Sequence, residues 1–409
     1  MRAVSYVERL EFDFPGSVFK NAFLFGDVDN DKSDELVVGN ENGDVFIYKG
    51  NASKCWRRAN DLGMVTAIGV GDIFNVGRNS LVVVNGEGWC YIFDFLTDTC
   101  SDGELPMKPT HVQRIPANTK VLLLHDVNSD GMIELVIGLT DRVVRTYQWI
   151  NTKLVGLNKW EFANQIGTVA INDMANRTPS LLVAHPGGTF IRLKCKPLEN
   201  SEEHDKEESR ELLSKMSIDY HPLAYSHMRN PNVSTEILGN ISQGMSHQDE
   251  HQGALYAVAT LDGTLMMVRD EQILWSLQVD HQLFALSKLD ITGDGREEVV
   301  ACSWDGQTYI VNQEKQTVRF QFDQSVSAFT AGYYSLNSQA PSLPAFAYAT
   351  FHNKIYLYYN VSLPRITLRT SSEFLEEKSK NGDDNFVKYL TETSKLSEMF
   401  SKILYQTQL

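Results

Sequence analysis

Seven times along this chain a short apolar run meets a Gly- or Asn-type turn and resumes as a second apolar run. The turns fall at Asn42-Gly43, Glu87-Gly88, Thr140-Asp141, Pro186-Gly187-Gly188, Asp262-Gly263, Asp305-Gly306 and His352-Asn353. Their separations are 45, 53, 47, 75, 43 and 47 residues. A period near 45 is that of a four-stranded propeller blade. The one long interval carries Glu199, Glu202, Glu203, Asp205, Glu207, Glu208 and Glu211, with little apolar content. Such a stretch cannot bury enough surface to order itself, so 196–232 is read as an acidic loop insertion. With it removed, the interval returns to about one blade. The pattern predicts an all-β, seven-bladed β-propeller over residues 1–363.

Within a unit, alternation and β-branched content give the strands. The first unit reads as strands over 23–28, 35–38 and 44–48; the sixth as an outer strand over 273–279, then 282–289, 298–303 and 307–311. Asn-Gly and Asp-Gly suit tight hairpins whose two central residues both take positive φ. The last unit supplies strands over 325–334, 344–350 and 354–361 and then lacks an outer strand. Residues 6–14 alternate like one, so the N-terminal strand is expected to complete the seventh blade and remove two free sheet edges. Beyond Pro364, Leu396, Met399, Phe400, Ile403 and Leu404 follow helical spacing, so 364–409 is read as a helical tail that covers the propeller's flank or binds a partner.

Composition narrows the partners. A formal charge of −15 argues against nucleic acid, whose phosphates are neutralised by dense Lys and Arg. Glu8 and Arg9 interrupt any secretory-type apolar stretch near the start, and no run approaches the length of a membrane span. The five cysteines include no CxxC pair, so neither a disulfide framework nor a zinc knuckle is suggested. The expectation is a soluble, reduced, cytoplasmic chain.

Three units carry an acidic loop of shared spelling. Its oxygen ligands fall at positions 1, 3, 5 and 9, with a backbone carbonyl at 7. The first loop offers Asp27, Asp29, Asp31 and Glu35. The third offers Asp126, Asn128, Asp130 and Glu134, and the sixth Asp290, Thr292, Asp294 and Glu298. All-oxygen ligands in a flexible turn suit calcium. Asp and Asn also close turns by accepting backbone N–H bonds, so the residues leave a metal-free structural reading open. The second loop, from Asp72, and the fourth, from Asp173, have lost ligands at positions 3 and 5.

No GxSxG, HExxH, P-loop or GxGxxG motif is present, so no enzyme is expected. His247 and His251 lie in a polar segment and read as solvated. His281 is expected to satisfy a blade hydrogen bond, and all six tryptophans to pack between blades.

The run Leu24-Phe25-Gly26-Asp27-Val-Asp29-Asn-Asp31 and its two counterparts resemble the FG-GAP repeat of integrin α-subunit propellers. Longer stretches resemble the integrin-alpha FG-GAP repeat-containing protein 2 family. These are Ile115-Pro-Ala-Asn-Thr-Lys-Val121, Thr140-Asp-Arg-Val-Val-Arg145, Asn232-Val-Ser-Thr235, Leu238-Gly-Asn-Ile241, Val279-Asp-His-Gln-Leu-Phe-Ala-Leu286, Glu298-Val-Val-Ala-Cys302 and Trp304-Asp-Gly-Gln-Thr-Tyr-Ile310. The resemblance covers about residues 1–363, while the insertion and the tail diverge. It implies a non-enzymatic scaffold subunit of a KICSTOR-like complex, beside kaptin-like and very large scaffold subunits. That complex would hold the GATOR assembly at the lysosomal membrane and restrain TOR signalling when amino acids are short; membrane association would be indirect. The alternative is a calcium-binding or small-ligand-binding propeller, an enzyme included, outside that pathway.

Overall fold

The computed structural model describes residues 2–4, 6, 8–51, 54–95, 105–195, 218–222, 232–244, 252–270, 272–337 and 341–363. Among them, seven sheets, each with four antiparallel strands, make the seven blades, and no helix occurs. The inner strands are Val18–Gly26, Val65–Gly71, Thr119–His125, Val169–Ile171, Thr235–Ile241, Leu283–Leu289 and Val326–Tyr334. The helical tail lies outside the described residues, as do His247 and His251.

Burial explains why the second strand of each blade is the most apolar. Glu35–Asn40, Ser80–Asn85, Glu134–Leu139, Leu181–His185, Leu255–Thr260 and Glu298–Ser303 are buried along their whole length, because blades cover both of their faces. The core is accordingly divided between blade pairs. One cluster, with Val37, Ile47, Val65 and Val83, fills the seam of blades 1 and 2; another, with Leu182, Phe190, Tyr256 and Val268, that of blades 4 and 5. The seam of blades 6 and 7 is aromatic instead. Phe322 stacks on Tyr348 at 4.7 Å, and the buried Tyr348 hydroxyl shares a 2.8 Å hydrogen bond with Thr308.

The ring closes through the N-terminus. Arg9–Asp13 pairs antiparallel with Lys354–Tyr358 as the outer strand of blade 7. Phe12 and Phe14 reach beyond that blade, onto Tyr48 at 4.2 Å and Phe46 at 5.0 Å in blade 1. The closing strand therefore joins the last blade by hydrogen bonds and the first by aromatic packing.

Four details differ from the sequence reading. Gln272–Gln278, read as opening the sixth unit, is the outer strand of blade 5. Ile218–Pro222, inside the supposed insertion, pairs with Thr189–Leu193 as the outer strand of blade 4. An outer strand needs only one hydrogen-bonded edge, so it can be short and weakly patterned. Arg2–Ala3 and Leu105–Pro106 add parallel fifth strands to blades 6 and 1, pairings too short to leave a pattern. The hairpins are also of another type. Gly43, Gly88, Gly263, Gly306 and Asn353 take positive φ, but Asn42, Glu87, Asp262, Asp305 and His352 do not. The Gly43 N–H bonds the Asn40 carbonyl at 3.4 Å, closing a four-residue turn. This is a type I turn ending in one left-handed residue. At Gly306 a Cβ would lie 2.3 Å from the Phe322 carbonyl oxygen, so backbone approach excludes a side chain as firmly as φ does.

Candidate metal loops and the polar centre of the ring

The acidic loops connect the first strand of a blade to the second, so all lie on one face of the disc. In each, the position-9 glutamate is buried and turned inward. Glu35 and Glu134 are 0% exposed and Glu298 3%. Each accepts the backbone N–H at loop position 2: Val28 at 3.0 Å, Val127 at 3.0 Å and Ile291 at 2.9 Å. The position-1 aspartate accepts from the far limb, as Asp27 does from Lys32 N at 2.9 Å, Asp126 from Gly131 N at 2.9 Å and Asp290 from Gly295 N at 2.8 Å. Asp72, in the eroded second loop, makes the same bond to Gly77 N at 2.7 Å. Loop closure by the first aspartate therefore does not depend on the ligands at positions 3 and 5.

The three loops differ in what faces their carboxylates. In the first, Asp27, Asp29 and Glu35 bring oxygens within 4.8 Å of one another, a metal-sized cluster. That space holds the Lys49 ammonium, 2.6 Å from Asp29 Oδ2, 2.6 Å from Asp31 Oδ2 and 2.9 Å from Glu35 Oε1. Burial pushes the Glu35 carboxyl up and Lys49 pulls it down. Burial weakens the hold of Lys49 on its proton, but Glu35 and the bonds to Asp29 and Asp31 outweigh it and keep the ammonium charged. The first loop does not fit a calcium ion while Lys49 is in place.

The third and sixth loops fit better. Gln148 stands opposite Glu134 across the hairpin and reaches Asp130 and Glu134 only at 3.4 Å. In the sixth, Arg296 turns away to Glu314. Among the described residues no lysine or arginine pairs with Asp126, Asp130, Glu134, Asp290, Asp294 or Glu298. Burial, reinforced by neighbouring aspartates, pushes Glu134 up to about 7 and Glu298 to about 6. A bound divalent cation would supply the missing positive charge, with Asp126, Asn128, Asp130 and Glu134, or Asp290, Thr292, Asp294 and Glu298, holding it. In chelator these carboxyls make stability depend on pH. Both carboxyls titrate above their unfolded value of about 4.3. The folded state then holds more protons between about pH 4.3 and 7, and stability falls as pH rises through that window. Glu134→Gln keeps an acceptor for Val127 N–H. In urea melts with chelator it should gain on wild type at about pH 8 and not at about pH 4; an equal gain at both would refute the assignment.

The loops also stitch blades together. Asn79 N donates to Asn30 Oδ1 at 2.7 Å, and Ile133 N to Asn75 Oδ1 at 2.5 Å, linking blades 1, 2 and 3 along this face.

At the centre of the ring, inner strands that are not neighbours touch. Asn21 Nδ2 of blade 1 donates to the Lys120 carbonyl of blade 3 at 2.6 Å, while Lys20 pairs with Glu236 of blade 5. Lys120 Nζ donates to the Ile166 carbonyl at 2.9 Å, and burial, then Lys20, lowers its affinity for the proton against the pull of Glu236. Each of these side chains therefore finds its partner on another blade. Composition and spacing had given no sign of them, because only closure of the ring brings blades 1, 3 and 5 together. His281 sits before the inner strand of blade 6, bonded to Asp305 at 2.6 Å in the neighbouring hairpin turn. Of the tryptophans, Trp160 is buried and Trp275 donates to the Gln313 carbonyl, but Trp89 and Trp304 are exposed, against expectation.

Fold and loops together define a β-propeller built from FG-GAP-type repeats. The chain belongs to the integrin-alpha FG-GAP repeat-containing protein 2 family, whose model matches residues 49–363. It is 41% identical over 399 residues to the mouse (Mus musculus) KICSTOR complex protein ITFG2, covering 92% of this chain and 89% of that one. The cattle (Bos taurus) protein of the same name is 37% identical, with 93% and 76% covered. Among solved structures, BBS1N in its complex with ARL6DN superposes with a TM-score of 0.60 at 14% identity, over 89% of this chain and 98% of that one. The Cps50 (Swd1) propeller domain of Myceliophteria thermophila gives 0.54 at 12%, over 88% and 99%. These two likenesses concern the fold alone.

Proposed function

We propose that the chain is a scaffold subunit of a KICSTOR-type complex, recruiting the GATOR assembly to the lysosome and restraining TOR signalling under amino-acid shortage. The observation that carries this reading is the 41% identity, sustained over 92% of the chain, to a relative named for that complex. The physical form suits the role: a rigid ring holds turns and loops on two faces where several partners can dock at once. Lys20, Asn21 and Lys120 at its centre are held by groups of other blades. Tagged chain purified from cells should bring down a kaptin-like subunit, the large scaffold subunit and GATOR components, and its loss should leave TOR activity high in starved cells. Recovery as a free monomer, with TOR activity still falling on starvation in cells lacking the chain, would overturn the reading. A calcium role for the loops of blades 3 and 6 is compatible with it. Glu134 and Glu298 are buried beside loop aspartates with no lysine or arginine among the described residues paired to them, which favours binding there, and calorimetry should find that Asp130→Ala and Asp294→Ala each remove a site.

A further inference from the structure

The face opposite the acidic loops is built from the hairpin turns joining second and third strands and from the crossings between blades. On it, exposed large apolar side chains are unevenly distributed. Phe351 (61% exposed) and Trp304 (43%) cap the turns of blades 7 and 6, and Trp89 (36%) follows that of blade 2. Met64 (46%) lies in the crossing from blade 1 to blade 2, and Phe19 (39%) begins the inner strand of blade 1. Blades 6, 7, 1 and 2 are consecutive around the ring, so these five side chains follow one arc. Among the described residues, blades 3, 4 and 5 present no large exposed apolar side chain on this face. Their turns carry Asp141 and Arg142, Gly187 and Gly188, and Asp262 instead.

Two of the five are held in place rather than merely left outside. Trp304 stacks on Phe284 at 5.7 Å with planes 27° apart, and the Arg114 guanidinium lies 5.7 Å from the centre of the Trp89 ring. Aromatic groups fixed before binding lose little entropy when covered, which is the character of interface anchors. The border of the arc is acidic. Asp13, Glu41, Asp61, Glu87, Asp280 and Asp323 are exposed along it, against Lys354 and Arg114.

We propose that this arc is a docking surface for a polypeptide segment of a partner protein, apolar along its contact line and flanked by Lys or Arg. The inference rests on the scaffold reading and assigns it a face. Charge complementarity selects the occupant. An anionic membrane or a nucleic acid would meet like charge at the border. A second copy of this chain would set the acidic borders of two arcs against each other. A basic-flanked apolar segment meets opposite charge at the rim and aromatic side chains at the centre.

The test is hydroxyl-radical footprinting of the full chain, free and within the purified complex. Trp89, Trp304 and Phe351 should oxidise several-fold more slowly in the complex, while Met132 and Tyr333 on the acidic-loop face change less. Trp304→Ser with Phe351→Ser, both exposed, should weaken assembly roughly tenfold or more with an unchanged melting temperature. Glu87→Lys with Asp323→Lys should slow association and reduce its dependence on salt. Assembly with these three side chains still oxidised at the free rate overturns the docking surface and leaves the scaffold reading intact; failure to assemble at all overturns both. Protection by phosphatidylserine vesicles alone, protection in the free chain that grows with its concentration, or protection lost on truncation after Leu363 would each assign the arc to another occupant and overturn the proposal.

Discussion

Deleting residues 1–14 is expected to lower thermal stability by on the order of 10 °C, measured by calorimetry on the otherwise full chain. Phe12 and Phe14 are each 1% exposed and pack on Tyr48 and Phe46 of blade 1. Truncating a buried phenylalanine costs about 3–5 kcal/mol, so their joint loss removes several kcal/mol before any backbone term. The deletion also strips the partner from Lys354–Tyr358, leaving an unpaired edge in the ring. For domains of 150–250 residues each kcal/mol moves the midpoint by about 2–4 °C, and a larger chain responds at or below the lower end. Phe12→Ala with Phe14→Ala isolates the packing share, because both leave the backbone pairing in place. An unchanged melting temperature in the deletion would mean that closure contributes nothing measurable.

The second large effect is expected at Lys49. Lys49→Ala should cost about 2–3 kcal/mol in urea denaturation. Removing one partner of a buried pair typically costs about 3–5 kcal/mol, and the partial exposure of Lys49, Asp29 and Asp31 reduces that figure. The cost arises because Glu35 stays buried with Asp27, Asp29 and Asp31 around it and no cation among them. Calcium should then restore much of the loss, since the vacated space is bordered by the carboxylates of Asp27, Asp29, Asp31 and Glu35, a set of hard oxygens. Wild-type protein should show no such gain from the first loop. Equal stability of variant and wild type in chelator would remove the assignment of Lys49 as the resident cation; a loss that calcium leaves untouched would retain the ion pair and reject the site's capacity for metal.

Much of the fold was legible because blade formation is a local affair. A turn such as Asn42-Gly43 and the apolar runs beside it act within about a dozen residues, and their recurrence carries the period. What was misread depended on neighbours along the sheet. The strand Gln272–Gln278 pairs back onto Thr264–Arg269 rather than forward, a choice made by hydrogen-bond register and not by its own alternation. The strand Ile218–Pro222 was hidden by the acidic residues before it, though only five residues of backbone were needed to finish blade 4. Lys49 was missed for a related reason. The hairpin sets Leu36 opposite Tyr48, which puts Glu35 opposite Lys49, and that register was available from the turn. The same position in blade 3 holds Gln148, so aligning the repeats would have singled out the lysine as the one cationic substitution of the two.

By itself the sequence determined the repeat, the number of blades and which carboxylates stand together in each loop, because these follow from spacing within one unit. Only the tertiary structure decided what those carboxylates face, which polar groups meet at the centre of the ring, and that Trp89, Trp304 and Phe351 share one arc. Those relations join residues from different strands or blades, tens to hundreds of positions apart. No local pattern encodes them; closure of the ring, which sets blade against blade and turns one face of each hairpin to solvent, creates them.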